Sequence, residues 1–187
     1  MDVNEYADVV TERLSHRELR DVFGAFATGV TVVTAVRPDG EPVGMTANSF
    51  TSVSLDPPLI LWCLANQSTN LAAFPPGAPF AVHVLGHEQR DLALHFARRG
   101  REKFDVDLDW RTDPKPPHMA GALSRLDCRV HTVQPGGDHW LILGEVVSFQ
   151  RRAGVPLVFH EGRFGRFVSD PGPGGAEIWK SLHGEWF

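Results

Sequence analysis

Apolar residues along this chain follow two rhythms, and the switches between them lay out its elements. Leu19, Val22, Phe23 and Phe26 recur at the spacing that gathers side chains on one helical face. Ser15, with Glu18 three residues on, makes a capping box that starts this helix, and Gly29 is expected to stop it. Residues 30–36 are dense in Val and Thr and read as a strand. Pro38-Asp39-Gly40 turns the chain, and an extended pattern resumes over 43–46. The stretch 47–55 is small and polar until Asp56-Pro57-Pro58 ends it. Residues 59–64 are then apolar on both faces, as in a strand flanked by neighbours. Ser68 is placed to cap a short helix through Phe74.

A strand over 80–85 and a helix over 89–99 follow, the helix offering Leu92, Leu94, His95 and Phe96 for burial. Periodicity fails over 101–120, which reads as a loop. Alternation returns over 126–133, the turn Gln134-Pro135-Gly136-Gly137-Asp138 reverses the chain, and 139–149 forms a long partner strand. A last strand lies over 157–160, and a Gly/Pro break at 171–175 precedes an aromatic tail. About seven strands and two or three helices give a mainly β fold with flanking helices. Hairpin-like turns make the sheet antiparallel, and a closed or nearly closed barrel removes exposed edges. A doubly wound α/β sheet is disfavoured, because strand–helix alternation stops at residue 122.

Composition narrows the function more than the fold. The 187 residues suit one domain spanning 1–187, and 42% hydrophobic against 22% charged residues excludes a disordered chain. The net charge is −5 and no basic cluster carries aromatics, so no nucleic-acid partner is expected. The longest apolar run, 59–65, is far shorter than the roughly 20 residues a membrane helix needs. An acidic start over 1–8 and only two cysteines point to a reduced, cytoplasmic setting without a secretory signal.

Several catalytic signatures are missing: a Gly-x-Ser-x-Gly elbow, a Walker A loop, a Gly-x-Gly-x-x-Gly turn and a Cys-x-x-Cys pair. Cys63 and Cys128 lie in strand patterns and read as packing residues. His83 and His87 are four apart, but a strand at His83 denies them helical ligand geometry, so no metal site is expected. What stands out is residues 44–52, with Thr46, Asn48, Ser49, Thr51 and Ser52 in close succession. Such polar density needs hydrogen-bond partners. A solvent-facing strand would supply water; a strand lying against a flat polar ligand would supply the ligand's own edge.

The run Gly44-Met45-Thr46-Ala47-Asn48-Ser49-Phe50-Thr51-Ser52-Val53-Ser54-Leu55-Asp56-Pro57-Pro58 closely resembles the signature stretch of the flavin reductase family with the FMN-binding split barrel. Residues 26–34 resemble its entry helix and first strand, and 61–68 the strand leading to its phosphate site. Gly137-Asp138-His139, Gly144-Glu145-Val146 and 156–165 resemble its late hairpin and closing strand, so the likeness spans roughly 19–168.

The resemblance implies a homodimeric split barrel that uses NADH or NADPH to reduce FMN or FAD. The reduced flavin would serve a separate monooxygenase or halogenase component. It further implies that Thr46, Ala47, Asn48, Ser49, Thr51 and Ser52 line the flavin, and that Asn66, Ser68, Thr69 and Asn70 hold its phosphate. A helix capped at Ser68 would add its positive dipole end there. Asn70 stands where the family usually has a hydroxyl, and Phe159 and Phe164 where it often has Tyr. Phe104 would be a lid aromatic, Arg163 a phosphate partner, and His139 would border the nicotinamide. Two other functions stay open on the residues alone: an oxidoreductase that retains its flavin and acts on an organic substrate, and a flavin-binding module without turnover.

Overall fold

The computed structural model describes residues 15–98, 100, 103–104 and 116–169. Helix α1 (His16–Gly24) starts as its sequence requires, with the Glu18 N–H donating to Ser15 Oγ at 3.4 Å. It ends at Gly24, five residues before Gly29, because β1 (Thr28–Gly29) is claimed by pairing with β9 (Leu157–His160). None of its residues is buried, and Val22, Phe23 and Phe26 stand 68%, 69% and 77% exposed. The apolar face is real, but this chain does not cover it.

Seven strands form one antiparallel sheet. They are β2 (Thr31–Val36), β3 (Pro42–Ala47), β4 (Thr51–Leu55), β5 (Pro58–Ala65), β6 (Pro79–Val84), β7 (Ser124–Gly136) and β8 (His139–Arg151). Their order is β3-β2-β6-β7-β8-β5-β4, and β1, β9 and β10 (Arg163–Arg166) make a second, three-stranded sheet. Among the described residues there are thus ten strands rather than seven. The two-residue β1 and four-residue β10 are too short to leave a pattern, and β4 is polar and mostly exposed.

The large sheet wraps one core. Val33, Met45, Ile60, Trp62, Phe80, Val130 and Ile142, from six different strands, pack into a single buried cluster. The rings of Trp62, Phe74 and Phe80 meet there at 5.0–6.3 Å between centroids. Yet no ladder joins the edge strands β3 and β4, so hydrogen bonding does not close the sheet into a barrel. The expectation of closure is corrected for a local reason. Between those edges, residues 48–50 leave the ladder, and Ser49 Oγ instead accepts the Cys63 N–H of β5 at 2.9 Å.

The β7–β8 hairpin forms where the sequence signals it, with Gly136 opposite His139. Gly137 takes φ +71° at the first central position, as a type II′ turn demands. Helix α2 (Arg90–Ala97) follows a 3₁₀ turn, His87–Gln89, and buries Ala93 and Phe96 in a second core with Val30, Val32, Leu85, Met119 and Leu157. The expected helix after Ser68 is replaced by a three-residue 3₁₀ turn, Leu71–Ala73. Of the expected 101–120 loop, 101–102 and 105–115 lie outside the described residues, as do Arg99 and the 171–175 break with its tail.

The loop's far end is sewn to the sheet. Thr34 Oγ1 donates to Pro117 O at 2.7 Å, and the Met119 N–H donates to His83 Nε2 at 3.1 Å. His83, fully buried on β6, donates through Nδ1 to Val32 O at 3.1 Å, so both ring nitrogens are used. Beside it His118 faces Asp127 at 3.1 Å, and Asp127 also takes Arg125 at 3.1 Å and the Ser148 hydroxyl at 2.6 Å. Among the described residues no helix is long and apolar enough to cross a membrane.

Candidate functional site

Edge strand β3 forms one wall of a cavity of about 450 Å³. Small residues let other groups approach it: a Cβ on Gly44 would stand 2.5 Å from Phe96 Cε1 and 3.1 Å from Phe104 Cζ. The two rings lie edge to face at 5.6 Å. Thr46 projects from the same strand, and Ala65, Gln67, Ser68, Thr69 and Asn70 come from the end of β5 and the turn beyond it. Arg37, Arg98 and Lys103 add three cations against one carboxylate, Glu41, although Arg37 Nε is already 3.3 Å from Asp39 Oδ1. Hydroxyls, amides and cations beside aromatic rings suit a heteroaromatic ligand carrying phosphate.

Of the residues singled out from sequence, Thr46, Ser68, Thr69, Asn70 and Phe104 line this cavity together. Asn48 lies instead in a second cavity of about 630 Å³, with Phe23 of α1, Phe26 just past its end, Thr28, Phe159 and Glu161. Ala47, Ser49, Thr51, Ser52, Asn66, Arg163 and His139 line neither. Thr51 and Ser52 are exposed on β4, and Arg163 is exposed on β10.

Much of the polar demand in 44–52 is met within the chain. Thr46 Oγ1 donates to Ala93 O of α2 at 2.6 Å, Ala47 O accepts the Thr31 hydroxyl at 2.7 Å, and Ser49 is spent on Cys63. Asn66 Nδ2 donates to Gly137 O at 2.9 Å, tying the β5 end to the β7–β8 turn. Ser68 Oγ accepts the Asn70 N–H at 3.2 Å, which caps a turn and no helix. A three-residue 3₁₀ turn has too few aligned peptides for a useful dipole, so no helix end adds positive potential at Ser68, contrary to the expectation from sequence.

His139 opens β8 directly opposite Ala65, one strand from the cavity. Its Nδ1 donates to Asp138 Oδ1 at 2.7 Å, and that bond holds the Asp138 carboxyl below its ordinary range. Cys128 is buried, and desolvation pushes its thiol up to about 12, so it offers no thiolate.

The chain matches the flavin reductase like domain over residues 23–167. It belongs to that family. It is 51% identical to an FMN reductase (NADH), SmoA of Agrobacterium fabrum, over 152 residues, covering 81% of this chain and 86% of that protein. It is 39% identical over 158 residues to HsaB of Rhodococcus jostii, the reductase subunit of a flavin-dependent monooxygenase, covering 83% and 80%. Among solved structures, the Streptomyces globisporus NADH:FAD oxidoreductase SgcE6, in complex with NAD and FAD fragments, is 44% identical with a TM-score of 0.75. That match covers 86% of this chain and 99% of that one. Other relatives are longer, the chain spanning 46% of a Rhizobium meliloti probable flavin reductase.

Within this flavin reductase family member, sequence reasoning missed Arg37, Arg98 and Lys103 as cavity residues. Arg37 opens a turn that reads as mere punctuation. Arg98 sits at the C-cap of α2, where a cation already has a reason to be. Lys103 hid in the charged, aperiodic 101–120 stretch, and its one clue was that it directly precedes Phe104.

Proposed function

We propose that this protein is an NADH-dependent flavin reductase that passes reduced FMN or FAD to a separate flavin-dependent monooxygenase or halogenase. The observation that carries this is the cavity in which Thr46, Ser68, Thr69, Asn70 and Phe104 converge with three cations, within a chain of the flavin reductase family. The donor set fits a flavin phosphate, and the Phe96–Phe104 corner fits an aromatic ring system. The sheet wrapped on one core is, on this reading, the family's split barrel.

The hydride chemistry is supplied by the nicotinamide and the flavin when both are bound. The chain's share is to hold them face to face and exclude water. Ser68, Thr69 and Asn70, with Arg98, would hold phosphate, and β3 with Phe104 would hold the ring system. Asn48, Ser49, Thr51, Ser52, Asn66 and Arg163 then act from outside this cavity, as supports or from the second one. His139, oriented by Asp138, hydrogen-bonds the nicotinamide end.

A homodimer completes this picture. It is supported by the uncovered apolar face of α1, together with Leu55 and Phe149, which stand 71% and 76% exposed. Steady-state oxidation of NADH and of NADPH, each with FMN and FAD, tests the proposal. Turnover that depends on added flavin is expected, with NADH preferred. Oxidation that needs an organic acceptor while free flavin is inert, or binding without turnover, would refute it.

A further inference from the structure

Lys103 is held in a way that its place in a loop does not explain. Its Nζ donates to Gly44 O on β3 and to Phe96 O in the last turn of α2, both at 2.9 Å. Its own carbonyl accepts from His95 Nε2 at 2.9 Å, which fixes that imidazole with its proton on Nε2. No described carboxylate lies within ion-pair distance of it. Burial pushes its ammonium below the ordinary range, so two carbonyl dipoles do the work of a counter-ion. A half-buried cation is costly to keep, and a loop needing only solubility would leave it in water.

The three bonds join the elements that build the cavity. Thr46 ties β3 to Ala93 of α2 one turn earlier, and Lys103 makes the second tie at Gly44 and Phe96. The next residue, Phe104, is thereby set against Phe96 and against the bare backbone of Gly44.

We propose that Lys103 is a positioning residue for the flavin: it clamps β3 to the end of α2 and so fixes Phe104 as the aromatic wall of the cavity. This rests on the flavin-reductase function proposed above. Lys103 acts through that wall and takes no part in hydride transfer.

Lys103→Met keeps the linear stem and removes the donors. Its flavin KM should rise roughly ten- to a hundredfold, the scale of losing charge-assisted hydrogen bonds, while the KM for NADH stays near wild type. Lys103→Arg, which again reaches carbonyls with donors, should recover most of that loss. Gly44→Ala presses on Phe96 and Phe104 from the strand side and should raise flavin KM with Lys103 intact. A folded Lys103→Met with wild-type flavin KM would overturn the proposal. So would equal rises in the KM for both substrates in step with a lowered melting temperature, since that is a purely structural role. Should Lys103→Met fail to fold, Lys103→Gln is read by the same criterion. A wild-type protein that binds flavin but oxidises no NADH refutes the activity instead, and dissociation constants from flavin fluorescence titration then decide the role of Lys103.

Discussion

Acidification should weaken this protein through one buried side chain. His83 is fully buried, its Nε2 must stay unprotonated to accept the Met119 N–H, and desolvation lowers its pKa from 6.5 to about 4. Above about pH 6.5 the ring is neutral in both folded and unfolded chains, and it adds no pH dependence. Between about 6.5 and about 4 the unfolded chain takes up a proton that the folded chain refuses, so stability falls with pH. The slope approaches about 1.4 kcal/mol per pH unit, and roughly 3 kcal/mol is lost across the window. Protonation also breaks the hold on Met119, which shares a core with Phe96 and Phe104, so the loss reaches the cavity wall. Urea unfolding from pH 7.5 down to 4.5, run on wild type and on His83→Gln, isolates this contribution. His83→Gln should be less stable at pH 7.5 and show a shallower pH slope. Parallel slopes in the two proteins would refute the assignment of the acid sensitivity to His83.

Other consequences can be checked as directly. Ser68→Ala removes the acceptor for the Asn70 N–H and should weaken oxidised-flavin binding by about 0.5–1.5 kcal/mol, read by fluorescence titration. Replacing Ser49 and Ser68 together by Leu should weaken it far more, and unchanged affinity in a folded double variant would remove the phosphate assignment. His139→Ala should lower the rate of flavin reduction by NADH in stopped flow about ten- to a hundredfold, leaving flavin affinity nearly intact. Light scattering at micromolar concentration should give twice the 20.7 kDa chain mass, and Phe23→Asp with Phe26→Asp should shift it toward the monomer.

Strong local chemistry was readable in the sequence; features made by distant partners were not. The Ser15 cap, the Gly137 turn and the alternation on either side of it depend on near neighbours, and α1 and the β7–β8 hairpin formed accordingly. The helix expected at Ser68 failed because Pro75 and Pro76 leave room for only a 3₁₀ turn after Asn70. The polar run 44–52 was rightly seen as needing partners, but those partners proved to be Ala93, Thr31 and Cys63, each on another element. Thr46 and Asn48, two apart, would share one face of a continuous strand; β3 ends at Ala47 and the backbone bends at Asn48, so the two fall into different cavities. The role of Lys103 depends on carbonyls 59 and 7 residues away, and backbone acceptors carry no sequence signal at all.

A crystal structure of the protein grown with saturating oxidised FMN, and separately with FAD, bears most directly on where and what this chain binds. The flavin ring system should lie along β3 against Phe104, with a phosphate oxygen within hydrogen-bonding distance of Ser68, Thr69 or Asn70. Flavin density confined to the cavity beside α1, or a cavity at β3 left without flavin in saturated crystals, would contradict the site described here.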